Sequence, residues 1–202
     1  ASGAALGGAA AKSPPDGYTL LVTSSSMWLA PFLQDNVPFD PVSDFSPISL
    51  MVSSPNILVL HPSLPVKSVR ELIALSRARP GALNYASGVD GATPHLAAEL
   101  FNSMARVNIV KINYKGGGPA LTGLVSGESH LMFATAGGVT PQIKSGRLKA
   151  LAVTSTEPSA LVPGLPTVAS AGLPGYEVVA ISGMFAPAKT PAAIINRVNQ
   201  EV

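Results

Sequence analysis

Ser87 is the residue with the most to offer chemically. It closes the run Leu83, Asn84, Tyr85, Ala86 and opens a stretch of small residues that reaches Thr93 and Pro94. A serine exposed where a strand turns into a helix can act as a nucleophile, and the turn that does this carries glycine two residues to either side. Those positions hold Tyr85 and Val89. A triad further needs a histidine and an acid. His61, His95 and His130 are scattered, and no spacing ties any of them to Ser87. The same stretch also has the form of an anion-binding turn, or of a tight strand-to-helix connection, and the motif test leaves both standing.

Other chemistries can be tested the same way. A phosphate-binding loop ends in Gly-Lys-Ser/Thr, but Lys115 precedes its glycines, at 116–118. Read as the start of a dinucleotide fingerprint, Gly116 would require a glycine where Leu121 stands. The chain has no cysteine, so disulfides, thiol nucleophiles and cysteine-based metal sites are excluded. No pair of histidines has metal-ligand spacing, and no metal or cofactor is expected. His95 falls in the first turn of its helix, where it packs or bonds locally, and His61 ends a strand.

What survives is a set of loop-to-helix starts. The first turn of a helix has N–H groups without internal partners and a partial positive charge. It can hold a carboxylate without help from Arg or Lys. Starts of this kind follow strands at residues 24–26, 87–93, 116–118 and 136–138. In open α/β sheets ligands bind beyond the carboxyl ends of strands.

Composition narrows the classes. The 202 residues are 47% hydrophobic and 12% charged, against roughly 25% charged in an average globular protein, which rules out a disordered chain. The net charge is +2 and aromatics are 5%, without any basic run, so nucleic acid is not an expected partner. No apolar run reaches the roughly 18 residues of a membrane span. No charged segment followed by an apolar one marks a signal peptide, and a trimmed chain would read the same.

The elements that must position these residues follow from periodicity. Residues 1–12 form a weak, glycine-interrupted helix. "YTLLVT" is a strand, followed by Ser24, Ser25 and Ser26 and a short helix, "MWLAPFL", ended near Pro31. The proline-broken segment 37–48 reads as irregular. "NILVLH" (56–61) is a buried strand. Ser68 and Glu71 form a capping box for a helix through Arg79, stopped by Pro80 and Gly81. Then "LNYAS", "IVKINY", "HLMFAT" and "KALAVTS" are strands alternating with helices, the pattern of parallel βαβ units. "EVVAISGMFAP" (177–187) is another strand, and Thr190 and Pro191 open a last helix that is still running at Val202.

Six stretches then stand out in order: "PPDGYTLL" (14–21), "VPFDPVSDFSPISLM" (37–51), "LNYASGVDGATPHLAAELF" (83–101), "VKINYKGGGPALTGLVSGESHLMF" (110–133), "GRLKALAVTS" (146–155) and "LPTVASAGLPGYEV" (165–178). With them the chain resembles the Bug-type solute receptors of tripartite tricarboxylate transporters, along essentially its whole length. The resemblance implies a type II periplasmic binding fold, two α/β domains joined by crossing hinge strands that close on a ligand. "NILVLH" and "VVAISGMFAP" would be the crossings, with 62–177 as the continuous domain and 1–61 with 178–202 as the discontinuous one. It implies a periplasmic, monomeric, non-enzymatic receptor whose partners are a small organic acid and the transporter's membrane subunits.

Under that resemblance Ser87, Gly88, Asp90, Gly91, Ala92 and Thr93 form one half of the carboxylate grip and Ser24, Ser25 and Ser26 the other. Thr135 and Ser182 line the remaining walls. Asp90, whose charge would repel a carboxylate, caps a backbone N–H and points away. Two departures are visible. The family's opening strand and Pro/Gly loop, and its terminal helices, are expected outside this chain at either end. Members often carry Asp after "LMF", where this chain has Ala134, and aromatic residues in the segment that reads "AISG" here. Both changes favour a plain carboxylate over an amino acid. The other readings are a small α/β hydrolase or transferase working through Ser87, and a sensor that presents its closed form to a signalling partner.

Overall fold

A computed structural model describes residues 3–202. In chain order its elements are α1 (Gly3–Ala11), β1 (Leu21–Ser24), α2 (Ser25–Trp28), α3 (Ala30–Leu33), β2 (Phe45–Leu60), α4 (Val69–Ala78), β3 (Asn84–Ser87) and α5 (Thr93–Ala105). They continue with β4 (Val110–Asn113), α6 (Gly117–Ser126), β5 (Leu131–Thr135), α7 (Ala136–Lys144), β6 (Lys149–Val153), β7 (Val179–Pro187) and α8 (Ala192–Glu201). The chain divides into two units. Unit 1 is Ala1–Ser53 with Ala180–Val202, and unit 2 is Ser54–Val179.

Unit 2 is a sheet covered on both faces. Its strand order is β6, β2, β5, β3, β4. Alternate residues of each strand face opposite sides. Leu58, Tyr85, Leu131 and Phe133 pack with Leu72 of α4 and Ala97, Ala98 and Phe101 of α5. Ile57, Val59, Ala86, Met132 and Ala134 pack with Ala120 and Leu124 of α6 and Val139 of α7 on the other side. Burial on both faces is why these strands read as continuous apolar runs. Phe101, Phe133 and Tyr176 form an aromatic cluster with centroids 5.8–6.4 Å apart, and the Tyr176 hydroxyl donates to Ala97 O at 2.8 Å.

The sheet is mixed rather than wholly parallel. β3 runs parallel to β4 and β5, as the alternation of strands and helices predicts. β2 is antiparallel to both β5 and β6. β6 thus runs in the same direction as β3, β4 and β5, and β2 is the reversed strand; strand direction leaves no trace in a two-residue period, so nothing in the sequence set β2 apart. β2 also begins earlier than expected, at Phe45. Pro47 and Pro55 do not break it, because proline's φ fits an extended chain and only its missing N–H limits where it can sit.

In unit 1, β1 pairs antiparallel with β7, Leu21 opposite Phe185 and Ser24 opposite Ser182. Leu21, Met27, Ala30, Phe39 and Phe45 form the core, with Trp28 edge-on to Phe185 at 5.1 Å. The weak helix expected over 1–12 is present at Gly3–Ala11, while Ala1 and Ser2 lie outside the described residues. Its glycines have a use: a Cβ on Gly7 would stand 2.4 Å from the Phe39 ring, and one on Gly8 2.8 Å from Pro38. Packing thus offsets the poor helix propensity of the segment. Pro31 does not end a helix but sits in the first turn of α3, where a missing N–H costs nothing.

Candidate functional site

The loop between β3 and α5 is built from backbone. Ser87 ends β3 and is 2% exposed, and its Oγ has no hydrogen-bond partner among the described residues. No histidine among the described residues therefore hydrogen-bonds to it as a base. A buried, unpartnered hydroxyl costs on the order of 1–3 kcal/mol, and such a group calls for a water or ligand. Gly88 follows. A Cβ there would lie 2.4–2.6 Å from the main chain of Gly116 and Gly117. Glycine is what lets the β3–α5 loop press against the loop that opens α6, and Tyr114 N–H donates to Ser87 O at 2.8 Å beside it.

Gly91 has φ +75°, a conformation that glycine adopts without strain. Its N–H donates to Nδ1 of His95 at 3.1 Å. Burial, and then the charge of Lys111, lowers the pKa of His95, so the ring stays neutral and Nδ1 stays an acceptor. Ala92 caps α5 with extended φ and ψ of −69° and 153°, and its side chain makes no cap bond. Thr93 and Pro94 follow as the first helical residues, with Thr93 buried. The cap residue of α5 thus offers no side-chain acceptor to the start of the helix.

Asp90 points elsewhere. Its Oδ1 accepts a hydrogen bond from Lys111 Nζ at 2.8 Å. That bond holds the Asp90 carboxyl below its usual range. The expected cap on a backbone N–H is replaced by an ion pair that neutralises the charge. Lys111 is absent from the sequence-derived set because its role depends on β4 lying beside β3, where Lys111 is the register partner of Tyr85.

Beyond β5 the same architecture recurs. Thr135 ends the strand, is exposed, and is the N-terminal boundary residue of α7, again without a side-chain cap bond. A cavity of about 310 Å³ opens here within unit 2. Around it stand Pro94 at the start of α5, Gly117 and Gly118 at the start of α6, and Thr135 and Gly138 at the start of α7. Leu121, Met132, Ala134 and Val139 supply an apolar floor. A Cβ on Gly117, Gly118 or Gly137 would meet nothing within 4 Å; these glycines leave room rather than relieve a clash. Three helix starts around one cavity sum their partial positive charges and offer N–H donors to an anion. The glycine starts were legible as loops in the sequence, but their convergence was not. Asn56 was missed altogether: it is fully buried, both amide atoms lack partners among the described residues, and it stands opposite Thr135 in the β2–β5 register.

In unit 1, Ser24 ends β1 and Ser25 and Ser26 open α2. Ser24 Oγ and Ser26 Oγ lie 3.3 Å apart, and Ser24 is the register partner of Ser182 in β7. The structure therefore brings Ser24, Ser26 and Ser182 to one end of the β1–β7 pair. Among the described residues no cluster of three or more His, Asp or Glu could hold a metal, and no helix is long and apolar enough to cross a membrane.

The family model for the tripartite tricarboxylate transporter family receptor matches residues 1–202. The chain belongs to that family. BugT of Bordetella pertussis is 37% identical over 196 residues, which are 96% of this chain and 60% of BugT. A protein of R. palustris solved with adipate is 34% identical with a TM-score of 0.86, over 98% of this chain and 66% of the other. MatC from Rhodopseudomonas palustris, solved with bound malate, is 30% identical with a TM-score of 0.86, over 99% and 68%. The chain spans about three fifths of the length of the curated relatives it matches. The fold is that of the periplasmic binding proteins among these structures. As family members these proteins are receptors, and catalysis by Ser87 finds support neither in them nor in the surroundings of its hydroxyl.

Proposed function

We propose that this chain is the ligand-binding body of a periplasmic receptor that captures a small organic carboxylate and presents it to the membrane subunits of a tripartite tricarboxylate transporter. The observation that carries this reading is the cavity in unit 2 ringed by the starts of α5, α6 and α7. A carboxylate there would take N–H groups from those starts, with bridging water where the reach is longer. Ser87, Gly88, Gly91, Ala92, Thr93 and Thr135 are the unit 2 residues assigned to it. Asp90 serves as the partner of Lys111 and not as a ligand contact. Ser24, Ser25, Ser26 and Ser182 are assigned as the ligand-facing polar end of unit 1.

The relatives solved with adipate and malate support a dicarboxylate-sized guest. Ala134, buried in the cavity floor, offers no anion to an ammonium group and so favours a plain acid over an amino acid. Thermal unfolding across mono-, di- and tricarboxylates tests the reading. A true ligand at about 100 times its Kd adds about 2.7 kcal/mol of stability, and so raises the melting temperature in proportion to the logarithm of its concentration. No shift with any organic acid, together with ester hydrolysis lost in Ser87→Ala, would replace the receptor with an enzyme.

A further inference from the structure

A second cavity in unit 2, of about 300 Å³, lies away from the strand-edge site, between α4 and the turn at Gly172. It is lined by Arg70, Ile73, Ala74, Arg77, Gly172 and Leu173. Arg70 and Arg77 are seven residues apart on α4, two helical turns, and so share a face.

The two arginines are held differently. Arg77 donates to Ala105 O from Nε at 3.1 Å and from Nη2 at 2.7 Å, which fixes its guanidinium at the end of α5. The stem of Arg70 lies over Gly172: a Cβ on that glycine would stand 2.6 Å from Arg70 Cγ, and its φ of +143° disfavours any side chain. Among the described residues the Arg70 guanidinium has no hydrogen-bond or ion-pair partner. The acid nearest in sequence, Glu71, is turned back to accept from Lys67 N–H. One anchored and one unpartnered guanidinium group therefore border one cavity whose lining holds no carboxylate, over the apolar Ile73 and Leu173.

The wider charge distribution agrees. Unit 2 contains ten Lys and Arg against six Asp and Glu, whereas unit 1 contains three against five. Lys67 and Arg79 flank α4 and extend the positive surface beyond the cavity.

We propose that the Arg70–Arg77 cavity is a docking socket for a carboxylate side chain in an acidic segment of a protein partner. The unpartnered guanidinium fork of Arg70 matches a carboxylate in two parallel hydrogen bonds, and Arg77, whose Nε and Nη2 donate to Ala105 O, adds its charge beside it. The apolar floor accepts the methylenes of the same Asp or Glu, and the flanking cations favour further acidic residues on either side. Arginine is among the residues enriched at the energetic centres of protein interfaces. The socket is separate from the carboxylate-capture site and stands whether or not that reading holds.

The test is fluorescence anisotropy of a labelled Glu-rich hexapeptide on the full chain at about 0.15 M salt, read beside the organic-acid thermal shift. Arg70 makes no internal bond, so Arg70→Gln leaves the fold intact. It is expected to weaken the peptide about tenfold or more, while Lys144→Gln, which removes the same charge elsewhere in unit 2, changes it less than about twofold. Arg70→Lys, which keeps the charge and loses the fork, should resemble Arg70→Gln. Equal losses in Arg70→Gln and Lys144→Gln would reduce the effect to diffuse charge and overturn the socket. So would absence of peptide binding, or binding of inorganic phosphate alone with the peptide excluded. The organic-acid shift should be the same in Arg70→Gln as in the parent, and its fate bears only on the capture site.

Discussion

Two strand-to-helix turns of this chain look alike in sequence and differ in structure. At β1–α2 a strand ends in Ser24 and passes into Ser25 and Ser26; at β3–α5 a strand ends in Ser87 and passes through 88–92 into Thr93. The first opens a helix of four residues and the second one of thirteen. A four-residue helix adds few peptide dipoles in line, whereas thirteen residues give a full terminal charge. Ser24 and Ser26 have each other at 3.3 Å, while the buried hydroxyl of Ser87 has no partner among the described residues. Gly88 is pressed onto the start of α6, so the second turn is built jointly by two loops. A small polar loop is suited to hold an anion when a long helix and a second loop back it, and composition alone does not tell which loop has that backing.

The largest effect should come from filling the contact between those loops. Gly88→Ala places a methyl on main chain that cannot rotate away, so a loss of about 1–3 kcal/mol is expected, with loss of organic-acid binding. Chemical denaturation measures it, and a variant as stable as the parent would show that the two turns are not interlocked. Gly117→Ala, in open space at the start of α6, should instead keep or gain stability by about 0.4–1 kcal/mol.

Ser87→Ala should separate binding from stability. Losing an unpartnered hydroxyl costs the fold nothing, while losing a hydrogen bond to a charged ligand costs about 1.5–3 kcal/mol, which is roughly tenfold or more in Kd by calorimetry. Ser26→Ala should leave affinity closer to the parent and lower stability by about 0.5–1.5 kcal/mol. If both serines gave the same affinity loss, the contrast between the turns would fail.

The third effect is a pH dependence centred on His95. Its pKa in the fold lies below the ordinary 6.5, so it contributes stability that is present above that value and is lost as pH falls through the lowered one. Protonation also turns Nδ1 from acceptor to donor and releases Gly91 N–H. His130 shifts the same way, by burial and then by His61, so the readout is a difference. The acid-side fall in both melting temperature and affinity should be shallower in His95→Gln than in the parent, and equal slopes would remove His95 from the loop's support.

The smallest effect belongs to Asp90→Asn. The Asp90–Lys111 pair is largely exposed on the acid's side, 64%, and pairs of this kind contribute about 0–1 kcal/mol. Asp90 has a lowered pKa, so what it contributes is present at neutral pH and fades in acid. Organic-acid affinity should change little, and a large gain on removing the charge would mean that Asp90 faces the ligand after all.

Much of this was legible in the residues. The Ser68 half of the capping box is present, Ser68 Oγ accepting from Glu71 N–H at 3.2 Å, because a cap depends on neighbours three residues apart, while the Glu71 carboxylate accepts from Lys67 N–H instead of Ser68 N–H. The strands containing Leu58 and Phe133 announce themselves because burial on both faces demands apolar runs. The small-residue turns after β3 and β5 are equally visible, since only small residues leave backbone N–H groups open. The direction of β2, its reach back through Pro55 to Phe45, and the buried amide of Asn56 were not visible, because each depends on which strand lies alongside.

The sequence by itself therefore determined where the chain extends, where it coils, and which turns are free of bulky side chains, all consequences of interactions a few residues long. Tertiary structure alone decided that Lys111 neutralises Asp90 from 21 residues away, that Gly88 meets Gly116, and that three helix starts surround one cavity. The physical reason is that charge and N–H donors act through distance in space, and only packing of the sheet sets those distances.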